Sequence, residues 1–171
     1  MQAVFDLLAK CSVPFLVVGG HALTAHGVVR QTIDVDCVIG VNDRHAFAQI
    51  LGSAGYVTVD ESENFIRYAA KVPELPEIDL LLVDPPTFEK LKEGSVVLRR
   101  GEHEFRVPGL AQLIALKLHA IRNQPQRGAR DLGDIAELLR LNPGRIEAAE
   151  LEHLCQRFGP ADIFVKLRDL V

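Results

Sequence analysis

The chain has 171 residues, 48% of them hydrophobic, 25% charged and 6% aromatic, with a formal net charge of −4, a balance that excludes collagen, disordered chains and disulfide scaffolds. At this length a core can bury ~70% of the unfolded surface, so folding requires no structural metal, and any metal is there for chemistry. Cys11, Cys37 and Cys155 are widely spaced with no C-x-x-C pair, which fits free thiols; no apolar stretch reaches the ~20 residues of a membrane span and no basic leader opens the chain, so a cytoplasmic protein with no membrane partner is expected.

In chain order, residues 4–9 read as a short amphipathic helix. Pro14 opens the apolar run PFLVV, a buried strand bounded by Gly19-Gly20, and HALTAH is a short helix stopped at Gly27. Residues 33–39 alternate with period two, Asn42 caps a helix reaching about Gly55, and residues 56–59 and 65–72 read as strands. EIDLLLV, from Glu77, is a further strand ended by Asp84-Pro85-Pro86. Residues 96–100 and 104–107 flank Gly101-Glu102-His103 as a hairpin. After Pro108 the pattern turns helical over residues 109–122, 129–141, 146–158 and 160–170, broken at Asn142-Pro143-Gly144 and Gly159-Pro160. The expected fold class is α+β: an α/β core over residues 1–107 and a C-terminal helical lobe over 108–171, together one two-lobed unit.

Charge is unevenly spread. The first 85 residues hold eleven acids and five bases, the remainder twelve acids and fourteen bases. No acid falls between Glu104 and Asp131, where Arg106, Lys117, Arg122, Arg127 and Arg130 all lie. An acidic half followed by a locally basic one suits a polyanion held through metal on one side and directly on the other, although a solvated basic face has the same appearance.

Asp34 and Asp36 carry most of the functional signal. Side chains two apart in a strand share a face, roughly 6 to 7 Å apart, which a divalent cation can bridge. Adjacent anions repel unless a cation answers them. Ile33, Val35 and Cys37 occupy the alternate positions and are expected to bury the opposite face. Asp79 stands in the apolar strand EIDLLLV, a costly place unless it is paired or bound to metal. If the two strands are neighbours, Asp79 completes a three-carboxylate cluster whose oxygen ligands favour Mg²⁺ or Mn²⁺. Gly19 and Gly20, lacking Cβ, either make a simple turn or let backbone approach a phosphate closely.

The run GGHALTAHGVVRQTIDVD resembles the nucleotidyltransferase superfamily that includes DNA polymerase β: a Gly-Gly turn, a short helix and a D-x-D strand. In detail, Gly-Gly-His-Ala, then His-Gly, then Arg-x-Thr-x-Asp-x-Asp is most similar to small bacterial proteins related to AbiEii toxins of toxin–antitoxin systems. Asp79 matches the third carboxylate, and Lys117 with Arg130-Asp131-Leu132-Gly133-Asp134 matches a Lys…Arg-Asp-x-x-Asp pattern. The resemblance covers most of residues 14–139. It implies a nucleotidyltransferase-like mixed sheet flanked by helices, a nucleoside triphosphate bound through metal, an acceptor hydroxyl attacking the α-phosphate, and pyrophosphate leaving. Gly19, Gly20, Asp34, Asp36 and Asp79 match those roles. His21 stands where many members have serine.

Physical reasoning points the same way, because phosphoryl chemistry depends on positioning and charge neutralisation. Asp34, Asp36 and Asp79 are the expected metal ligands, and Asp79 could also help accept the hydroxyl proton. Lys117 falls in the apolar helix stripe of Leu110, Leu113, Ile114 and Ile121, and Asp131 shares the side of Ile135 and Leu138. Either Lys117 binds the triphosphate and Asp131 orients it, or the two pair and fix helix packing. Arg30 is expected at phosphate or acceptor, since its planar fork suits such anions. Thr32 offers a hydroxyl or merely suits the strand, and His26 reads as a helix C-terminal residue. His21, Thr32 and Lys117 complete the nucleotide-binding set with Gly19, Gly20 and Arg30. The resemblance implies an acceptor that is a tRNA or other RNA, a protein or a small molecule, and an antitoxin as a further partner. The alternative is a catalytically silent nucleotide- or partner-binding module on the same fold; metal-assisted phosphodiester hydrolysis would use the carboxylates without the glycines.

Overall fold

The computed structural model describes residues 1–72 and 75–170. Its elements are α1 (Gln2–Leu8), β1 (Leu16–Val17), α2 (Gly19–Ala25), β2 (Val35–Gly40), α3 (Arg44–Ser53), β3 (Tyr56–Ser62), β4 (Phe65–Ala70), β5 (Ile78–Val83), α4 (Pro85–Lys92), β6 (Val96–Arg100), β7 (His103–Val107), α5 (Leu110–Asn123), α6 (Gly128–Leu141), α7 (Ala148–Phe158) and α8 (Ile163–Arg168). The class is α+β with a mixed sheet, as the sequence predicts. The chain forms two compact units, residues 1–25 with 30–108, and residues 26–29 with 109–171. No helix among the described residues is long and apolar enough to cross a membrane.

In the first unit a five-stranded sheet runs in the order β1-β2-β5-β4-β3. β2 and β5 are parallel, with Val35 opposite Ile78, Cys37 opposite Leu80 and Ile39 opposite Leu82. All six are at most 3% exposed. Period-two alternation therefore sends these β-branched and aliphatic residues to one face and leaves the intervening positions for the other. The antiparallel β4 continues the apolar face with Ile66 and Tyr68, opposite Leu80 and Ile78. β6 and β7 form the expected hairpin. Phe5 links it to α1, its ring centroid 5.1 Å from that of Phe105 and 5.0 Å from that of His21.

Two local expectations are corrected and a third is extended. β2 begins at Val35, so Asp34 lies just ahead of the strand, and Ile33 is 79% exposed instead of packed in the core; the pairing that buries a strand residue starts only where β5 begins to run alongside. Asn42 does not cap α3; it sits in a 3₁₀ turn, Val41–Asp43, that leads into the helix. Asp84-Pro85-Pro86 ends β5 and at once starts α4: the Asp84 carboxylate accepts from the Thr87 N–H (3.0 Å) and Pro85 takes the first helical position, where a missing N–H costs nothing.

The second unit is helical. Leu110, Leu113, Ile114, Leu118 and Ile121 form the buried stripe of α5, and Ile135 and Leu138 of α6 are fully buried. The Asn142 side-chain amide donates to the carbonyls of His26 and Leu138, both at 2.9 Å, tying residues 26–29 to the end of α6. Arg122 donates to the carbonyls of Gly159 and Arg157, capping the end of α7.

Candidate active site

The parallel register sets Asp36 of β2 directly beside Asp79 of β5. Partners in a ladder share a face, so the two carboxylates project together, and Asp34 reaches the same place from the loop before β2. One oxygen from each of Asp34, Asp36 and Asp79 lies within 4.8 Å of the others. Asp79 is 6% exposed, the other two are half-buried.

The glycines have a local use that spacing alone does not show. Gly19 has φ +59°, a left-handed conformation that disfavours side chains, and a Cβ there would overlap the Asp36 carboxylate. At Gly20 a Cβ would come within 2.8 Å of Thr32. The turn is pinned to β2 by Val18 N–H donating to the Asp36 carbonyl (2.9 Å). The bare backbone thus admits the protein's own aspartate and threonine. Thr32 in turn donates its hydroxyl to Asp34 Oδ1 at 2.6 Å, fixing the one triad member that the sheet does not hold.

His21 is 6% exposed behind this turn. Its Nδ1 faces Arg100 Nη2 at 3.2 Å, and the same Arg100 nitrogen donates to Thr24 Oγ1 at 2.7 Å. A guanidinium only donates, so Nδ1 accepts and the ring proton sits on Nε2, which is buried on the side of the Asp34 backbone. Burial, then the Arg100 charge, push the His21 pKa down to about 4 against the pull of nearby Asp34. His21 is therefore neutral at physiological pH.

Sequence reasoning missed Arg67. It stands opposite Asp79 in the β4–β5 ladder and forks onto it, Nε to Oδ1 at 2.7 Å and Nη2 to Oδ2 at 2.8 Å. The bidentate bond raises its pKa further above the usual arginine range. No local signal marks Arg67, because its meaning depends on which strand pairs with β5.

In the helical unit Lys117 Nζ lies 2.8 Å from Asp131 Oδ1 and 2.6 Å from Asp134 Oδ2. The pairing expected with Asp131 is present, and Asp134, three residues on along the same face of α6, joins it. Asp134 is the second aspartate of the Arg-Asp-x-x-Asp pattern, and its i,i+3 spacing from Asp131 puts both on Lys117. Arg30 lies half-buried in the loop leading to β2.

A family model described as nucleotidyl transferase AbiEii toxin, type IV TA system, matches residues 6–166. Among solved structures, an antigenic nucleotidyltransferase-like protein from Paracoccidioides brasiliensis is 18% identical, with 98% of this chain and 91% of that one covered and a TM-score of 0.59. ANT(2″)-Ia in complex with adenylyl-2″-tobramycin is 14% identical, covering 99% and 95%, with a TM-score of 0.61. The lincosamide antibiotic adenylyltransferase LnuA, lincomycin-bound, is 14% identical, covering 81% and 94%, with a TM-score of 0.54. At such identities these likenesses speak for the fold alone. No curated protein matches the chain.

Proposed function

The chain belongs to the AbiEii nucleotidyl transferase family, and from that membership we propose that this enzyme moves a nucleoside monophosphate from a nucleoside triphosphate to a hydroxyl acceptor, namely a tRNA or other RNA, a protein or a small molecule, as the toxin of a toxin–antitoxin pair. The convergence of Asp34, Asp36 and Asp79, with oxygens within 4.8 Å, carries the reading.

The donor set fits a hard divalent cation: it is all carboxylate oxygen, it is held on one sheet face, and Gly19 leaves the room that the Asp36 carboxylate needs. Asp34, Asp36 and Asp79 would hold Mg²⁺ or Mn²⁺. Bound there, the cation supplies charge neutralisation of the triphosphate and polarisation of the phosphoryl oxygens. The chain's own part is positioning. Thr32 orients Asp34, Gly20 lets Thr32 close on the turn, and buried neutral His21 supports that turn from behind. Arg30 offers a planar donor fork to a phosphate, and Lys117, oriented by Asp131, is a second phosphate-binding cation. The acceptor oxygen bonds to the α-phosphorus as the bond to pyrophosphate breaks, and its proton passes to a carboxylate of the cluster and on to solvent. Both oxygens of Asp79 already accept hydrogen bonds from Arg67.

Asp34→Asn and Asp36→Asn remove charge at nearly constant volume. Each is expected to cut transfer from an α-labelled triphosphate by roughly 10³-fold, with melting temperature close to wild type. Transfer surviving both changes ends the proposal. Triphosphate binding by the wild type that ignores Mg²⁺ and leads to no transfer identifies a binding module instead.

A further inference from the structure

Across the sheet the ladder registers align Asp36 of β2, Asp79 of β5, Arg67 of β4 and Asp60 of β3 in one row. Arg67 is the single base of that row. Its fork donates a hydrogen bond to each oxygen of Asp79, and Glu77 lies 3.5 Å from its Nε. The Asp79 side chain is 9% exposed and that of Arg67 40%. Arginine does not lose its proton in proteins, so this positive charge is permanent.

Two consequences follow from elementary electrostatics. Three carboxylates this close repel one another, and a guanidinium in contact with one of them offsets part of that repulsion without any metal. The same charge opposes a second cation arriving at the cluster, and the fork uses lone pairs on both Asp79 oxygens that a cation would also need. Removing it would leave the triad more negative and Asp79 freer to coordinate.

We propose that Arg67 is a positioning residue and the resident counter-ion of the acidic triad: it fixes Asp79 in one orientation and holds the cluster together before a divalent cation arrives. The free protein then takes the cation weakly, and firm binding comes only when a triphosphate adds its own oxygens. Glu77, and Asp60 across the β3–β4 ladder, offer Arg67 other carboxylates as Asp79 is shared with the cation. This inference rests on the reading of Asp34, Asp36 and Asp79 as a cation site.

The test is Mn²⁺ titration of the nucleotide-free protein, read by electron paramagnetic resonance, with thermal melting alongside. Arg67→Gln is expected to bind Mn²⁺ about tenfold more tightly than wild type, to melt lower without metal, and to regain that loss when Mn²⁺ is added. Arg67→Lys, which keeps the charge but gives up the fork, is expected to gain about threefold and serves as the measure if Arg67→Gln does not fold. A simple cross-strand ion pair predicts unchanged or weaker Mn²⁺ binding in both variants, and that result overturns the inference. Asp34→Asn separates the two claims. If it binds Mn²⁺ as well as wild type, the cation site itself is elsewhere; if it loses Mn²⁺ while the Arg67 variants bind no tighter than wild type, only the role of Arg67 fails.

Discussion

Each unit of the chain sets one basic side chain against aspartates, and the two surroundings differ. In the α/β unit Arg67 grips Asp79 beside Asp34 and Asp36, with the arginine side chain 40% exposed. In the helical unit the side chains of Lys117, Asp131 and Asp134 are 11%, 4% and 10% exposed. A carboxylate open to water is hydrated until a ligand replaces that water, whereas a buried one must be answered from within the protein. In the first cluster the half-buried Asp34 and Asp36 stay within reach of water, while buried Asp79 is answered by Arg67. The second is answered by Lys117 from within the helical unit, and one oxygen of Asp131 is without a hydrogen-bond partner.

The sharpest way to break this contrast is Lys117→Met. It leaves Asp131 and Asp134 facing each other inside the helical unit, and a buried pair deprived of one partner loses about 3–5 kcal/mol, to be read by urea unfolding. Adding Asp131→Asn and Asp134→Asn should recover most of that stability. If Lys117 serves the triphosphate, transfer stays low in the restored triple variant; recovered transfer would make the lysine purely structural.

Acid sharpens the comparison from the side of the glycine turn. His21 stays neutral in the folded protein down to about pH 4, while its ordinary value is 6.5. Below about 6.5 the unfolded chain takes up a proton that the folded one refuses, so stability falls as pH drops from 6.5 towards 4 and does not depend on this residue above that range. The loss is at most roughly 3 kcal/mol. Urea unfolding at pH 7.5 and 4.5 should show that His21→Gln removes this part of the decline; an unchanged slope would mean that His21 accepts its proton inside the fold.

The smallest expected effect is Thr32→Val, which keeps the shape and deletes the hydroxyl that holds Asp34. Stability should fall by about 1 kcal/mol. Transfer should fall proportionally more, because a loosened Asp34 no longer meets Asp36 and Asp79 in one place. Equal losses in stability and activity would remove the special position given to Thr32.

Much of the site was readable from local pattern. Period two puts residues on one strand face whatever the rest of the chain does, so a mostly apolar strand carrying an aspartate had to show that acid to something polar. The same logic located Lys117 on the buried stripe of α5. Local pattern failed where one motif has two meanings. Asp-Pro-Pro ends a strand and equally starts a helix, and α4 is the outcome. Alternation also extended β2 back to Ile33, whose neighbours in space do not cover it.

Sequence by itself determined the chemistry available: three aspartates of the right spacing, a glycine pair ahead of them, and a lysine and aspartates on helix faces. Only the tertiary structure decided which of these meet. The β2–β5 register made Asp36 and Asp79 neighbours, the β4–β5 register gave Asp79 to Arg67, and the close approach at Gly19 showed that the missing Cβ makes way for Asp36. The reason is that strand pairing joins residues far apart in the chain through backbone hydrogen bonds common to every residue. Side chains record their own face, but their partner across the ladder is set by the packing of the whole sheet.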